Sequence, residues 1–94
     1  MPSHNPAGYY LLMPEQFETE IEALDISELA NVLFDISELV DEVLDGNEFE
    51  FQTVYGSEQF DIWVNNLQVD ALINLIRWLA ERMASLYTKE SRNA

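Results

Sequence analysis

Almost every residue in this chain that could do chemistry is a carboxylate. The pentapeptide Asp-Ile-Ser-Glu-Leu occurs at 25–29 and again at 35–39, with no Lys or Arg between or near the two copies. Paired carboxylates can serve as general acid and base, but they must be held across a cleft. A chain of 94 residues with three glycines offers little room for one. Nucleophilic hydrolysis needs a Ser or Cys beside a base. Here cysteine is absent, and the single histidine, His4, stands in the Pro- and Gly-containing start of the chain. A calcium loop needs acidic or amide side chains at its first, third and fifth positions, Gly at the sixth and Glu at the twelfth. Counted around Gly46, Asp41 and Asp45 fit that pattern, whereas Val43 and Gln52 break it. A Gly-rich phosphate loop and a basic-aromatic pattern for nucleic acid are both missing. The chain therefore reads as non-catalytic, with no cofactor and no metal site.

What the acids have instead is an uneven distribution. All four cations, Arg77, Arg82, Lys89 and Arg92, fall in the last 18 residues. Residues 1–76 carry 16 of the 18 acids, all but Glu81 and Glu90, and no Lys or Arg; the formal charge of the chain is −14. Such a field repels nucleic acids, acidic lipids and anionic substrates, and it draws in cationic surfaces from a distance. A hydrophobic content of 48%, with five Phe, four Tyr and two Trp, argues that a folded core outweighs this self-repulsion. The lack of cysteine excludes disulfides and thiolate metal sites. The start, MPSHNPAGYYLLMPE, has neither the basic region nor the apolar run of a signal peptide, and no apolar stretch reaches the roughly 18 residues of a membrane span. The expected location is cytoplasmic, in the host cell if the gene is phage-borne.

Positioning these groups falls to an expected small single α+β domain. It comprises an N-terminal helical region, a central antiparallel β-hairpin at about 48–65 and a long C-terminal helix at about 68–87. Residues 1–8 are expected as a flexible arm, 9–88 as the domain and 89–94 as a flexible tail. Between Tyr9 and Leu24 the alternation of Phe17, Thr19, Ile21 and Ala23 with Glu18, Glu20 and Glu22 fits a half-buried strand. Phe17, Ile21 and Leu24 after Pro14 fit a helix as well, and the residue types favour it. The next segment is clearer. Asp25 with Glu28 three residues on forms a capping-box pattern, and Gly46 stands where a left-handed C-terminal residue belongs. The apolar period from Ile26 to Val43 predicts a helix at about 26–44. Beyond it, Phe49, Phe51, Thr53 and Tyr55 alternate; after Gly56-Ser57, Phe60, Ile62 and Val64 answer them, as the two arms of a hairpin would.

On the helix at 26–44, rotation by about 100° per residue brings Glu28, Asp35 and Glu42 within about 40° of one another, opposite the apolar face. Glu38 and Asp45 flank this stripe, and Asp41 lies further round. Asp35 to Asp45 places an acid every roughly 3 Å of axis, close to the spacing of about 3.4 Å between phosphates on a DNA strand. Phe34 falls between Glu38 and Asp41 in angle. Glu48, Glu50, Asp61 and Trp63 form a second patch on the outer face of the expected hairpin. Aromatic anchors within a polar rim are typical of binding hot spots. A purely solubilising face would use the same acids, but mixed charges solubilise as well with less repulsion, so the near-exclusion of cations favours docking.

In size, charge and lack of catalytic groups the chain resembles the broad class of phage-borne DNA mimics, anti-restriction and anti-CRISPR proteins and nuclease immunity proteins. That class is held together by those properties rather than by a shared motif. The resemblance implies a non-catalytic inhibitor that binds the basic, nucleic-acid-binding surface of a partner such as a nuclease or CRISPR complex, and that itself binds neither nucleic acid nor membrane. The alternative is an acidic dimeric adaptor or secretion-type chaperone working through apolar grooves. In that reading the chain forms a homodimer through Leu72, Ile76, Leu79 and Met83.

Overall fold

The computed structural model describes residues 13–93, with side chains to residue 90. The arm expected at 1–8 and His4 lie outside the described residues. Four helices follow one another: α1 (Glu15–Glu22), α2 (Ile26–Leu44), α3 (Glu58–Asn65) and α4 (Val69–Asn93). No strand occurs among the described residues, so the expected α+β class gives way to an all-helical one.

α1 begins after Pro14, whose φ of −57° suits the entry to a helix, and it carries Glu15 and Glu18 in its first turn, where the helix dipole favours acids. Phe17 and Ile21, four residues apart, are its buried pair. α2 begins in the expected capping box: the Asp25 carboxylate accepts from the Glu28 N–H at 2.8 Å, and the Glu28 carboxylate accepts from the Asp25 N–H at 3.0 Å. It ends as expected too, with Gly46 at φ +79°. There the Gly46 N–H donates to the Val43 carbonyl at 3.0 Å and the Asn47 N–H to the Glu42 carbonyl at 2.9 Å, a Schellman closure. Leu29, Val32, Ile36 and Leu39 form the buried stripe of α2, which packs on α4 through Ala71, Leu72, Leu75 and Leu79. Each large apolar side chain so buried contributes about 1.5–3 kcal/mol. α4 runs to Asn93, past the helix end expected at about 87.

The β-hairpin expected at 48–65 does not form, and two features of the sequence show why. Ser57 is an N-cap, its hydroxyl accepting from the Phe60 N–H at 3.2 Å, and Glu58 and Asp61 occupy the first turn of α3. Phe60 and Val64, four apart, are buried, while Ile62 between them is 54% exposed. A strand would have put all three on one face. Gly56 is therefore no hairpin turn; a Cβ there would stand 2.7 Å from the Phe60 ring, so the close approach requires glycine. The first half of the expected hairpin keeps its alternation without a ladder. Phe51 and Thr53 are buried, Phe49 and Tyr55 half-buried, and Glu48, Glu50, Gln52 and Val54 exposed. The pairing comes from α3 side chains. The Asn65 amide accepts from the Phe51 N–H at 2.8 Å and donates to the Phe51 carbonyl at 3.0 Å, and the Asp61 carboxylate accepts from the Thr53 N–H at 3.3 Å. α1 is tied in by Glu20, whose carboxylate accepts from the Ser57 N–H at 3.0 Å and hydroxyl at 3.1 Å.

Candidate functional site

The outer face of α2 is a continuous ridge. Ser27, Asn31, Phe34, Glu38, Asp41 and Asp45, alternating four and three residues apart, are all exposed. Phe34 is 68% exposed, a large ring left in water among acids. No Lys or Arg stands on α1, α2, the connecting segments or α3. Asp41, Glu42 and Asp45 each bring a carboxylate oxygen to within 4.8 Å of the others, which measures how crowded the negative charge is at the end of α2.

The stripe of Glu28, Asp35 and Glu42 falls elsewhere than in open solvent. All three are half-buried on the flank of α2. Glu28 is engaged in the capping box, and Glu42 accepts from the Asn47 side-chain amide at 3.0 Å. Asp35 lines a groove between α2 and residues 52–55. The angular reading treats α2 as isolated, whereas the segment after Gly46 returns along this flank. Exposure therefore passes to Glu38 and Asp45, which the sequence placed at the edge of the stripe, and to Asp41, placed further round.

The second patch divides in the same way. Glu48 and Glu50 are exposed, and Asp61 is half-buried. Asp61 shares a groove of about 540 Å³ with Glu50 and Glu58, an acid that the hairpin reading did not single out. Its carboxyl is raised above the ordinary value of 3.8, first by burial and then by the charges of Glu58 and Glu50, against the lowering effect of the Thr53 N–H bond. Burial alone raises Asp35. Trp63 is not on an outward face. Its ring lies 5.3 Å from that of Phe17 and 6.0 Å from that of Phe60, centroid to centroid, as part of the core edge. Helical spacing explains this, since Trp63 follows Phe60 by three residues and so shares its side of α3. Of the two aromatics singled out from the sequence, Phe34 alone stands free of the core.

On α4, Leu72 and Leu79 are fully enclosed in the chain's own core, at 1% and 0% exposure, while Ile76 and Met83 are half-buried against it. Arg82 donates to the Glu22 carbonyl at 3.2 Å and so caps the end of α1. No described helix is long and apolar enough to cross a membrane. Comparison of the chain with protein-family models, with curated proteins and with solved structures finds no match.

Proposed function

We propose that the chain is a non-catalytic acidic inhibitor, a DNA mimic of the anti-CRISPR, anti-restriction or nuclease-immunity kind. It docks the outer face of α2 on the basic, nucleic-acid-binding surface of another protein. The observation that carries this reading is the ridge itself: exposed Phe34 followed by exposed Glu38, Asp41 and Asp45, on a helix without a cation. Opposite charge steers such a surface onto a phosphate-binding site, where its exposed carboxylates compete with the nucleic acid. Like-charge pairs at i,i+3 and i,i+4 each cost α2 about 0.2–0.5 kcal/mol, a penalty that a purely structural helix has no reason to carry.

The test is capture of partners from the native host by the tagged chain. The expected partner binds nucleic acid, is displaced by duplex DNA, and is lost as salt rises from about 50 to about 200 mM. The triple substitution E38Q/D41N/D45N is expected to abolish capture, and Phe34→Ala to weaken it by about tenfold or more. Capture that is indifferent to salt and to the triple substitution would overturn the reading. Less supports the alternative, an acidic dimeric adaptor, because two of the four residues expected at its dimer face, Leu72 and Leu79, are used inside the monomer.

A further inference from the structure

A groove of about 530 Å³ runs between α2 and the extended segment that precedes α3. Asn31 and Asp35 line it from α2, Gln52, Thr53 and Tyr55 from the segment, and Asp61 from α3. The groove thus gathers two carboxylates from two separate helices, and no cation lines it among the described residues. Asp35 has no hydrogen-bond or ion-pair partner among the described residues. Asp61 gives one oxygen, Oδ1, to the Thr53 N–H at 3.3 Å. Both carboxyls are pushed above their ordinary value by burial, so the fold holds two anions where water solvates them less well, with no counter-charge in the groove among the described residues.

We propose that this groove is a receptor for an arginine side chain, with Asp35 and Asp61 accepting from its guanidinium. The groove has room for the planar head of an arginine side chain. A guanidinium presents its N–H donors in a planar fork that matches carboxylates and stacks on aromatic rings, and it gives up water more readily than an ammonium does. Asn31, Gln52 and Tyr55 supply uncharged acceptors and an aromatic side chain beside the two acids, a lining suited to such a group. That the arginine comes from a basic partner rests on the reading given above. The pocket itself is tested without any partner.

The full ¹⁵N-labelled chain is titrated with N-acetyl-arginine-N-methylamide at constant ionic strength, beside the citrulline derivative, which has nearly the same shape and no charge. Saturable shifts of the Asn31, Asp35, Thr53 and Tyr55 amides are expected with the arginine derivative and not with the citrulline one. The D35N/D61N variant is expected to bind about tenfold or more weaker, whereas the ridge variant E38Q/D41N/D45N keeps the wild-type affinity. Equal responses to the two derivatives, which the wild-type chain alone can reveal, would overturn the proposal. So would shifts confined to the ridge amides, or shifts that D35N/D61N leaves unchanged. If the titration fails while salt-sensitive capture persists, the pocket is removed and the basic-partner reading stands; the reverse pattern removes the partner and keeps the pocket.

Discussion

Asn65 does by itself what a neighbouring strand would otherwise do. Its side-chain amide takes both backbone groups of Phe51, at 2.8 and 3.0 Å, and its Nδ2 also donates to the Asp61 carbonyl at 2.9 Å. Phe51 is 1% exposed, so water is a poor substitute for either bond. Truncation by Asn65→Ala is expected to cost about 2 kcal/mol, the usual range for a buried backbone group losing its partner being about 1–3 kcal/mol. Urea denaturation measures this as a fall in midpoint. A cost below about 0.5 kcal/mol would mean that the Phe51 ring holds the segment unaided.

Among the elements, α2 was the most legible, because independent local signals agree on it: the Asp25–Glu28 box, the apolar period and the glycine after its last turn. Gly46→Ala tests the last of these. With φ at +79° and no atom near enough to touch an added Cβ, the cost is conformational. About 1 kcal/mol of stability is expected to be lost, read from thermal or urea unfolding. A neutral result would show that the helix end relaxes into another closure. For 15–22 the residue types leaned to helix, but the strand-like alternation of Phe17, Thr19, Ile21 and Ala23 left the choice open until the structure gave a helix. The segment 48–65 misled because Phe60, Ile62 and Val64 satisfy a period of two while Phe60 and Val64 also satisfy four, and short apolar runs do not separate the two. The discriminating signal was present in Ser57, followed by Glu58 and then Asp61, which together write a helix start. The acidic site was legible in composition but not in register. Which acids face water depends on residues 47–57 lying along one flank of α2, a tertiary fact that helical angles leave out. Trp63 moved inward for the same kind of reason, once its neighbours followed helical rather than strand spacing.

Taken as one body, the molecule is expected to be more stable when less charged. The Asp35 and Asp61 carboxyls lie above 3.8 in the fold, so the folded state holds those protons more tightly than the unfolded chain does. Stability therefore rises as the pH falls from neutral through the raised folded values toward 3.8, and the penalty is fully present above them. Relief of a formal charge of −14 acts in the same direction. Thermal midpoints followed by circular dichroism are expected to climb over that window. Asp35→Asn should flatten the climb and, by removing the repulsion with Glu38, stabilise the chain at neutral pH by about 0.2–0.5 kcal/mol. A midpoint that falls steadily below neutral pH would contradict this. The placement of every cation on α4, behind the helix whose far side bears the ridge, has a further effect. The protein is a permanent electric dipole as well as an anion. In the field of a positively charged body it experiences a torque before it touches anything, and that torque turns the cation-bearing part of α4 away, so that successive collisions arrive already oriented.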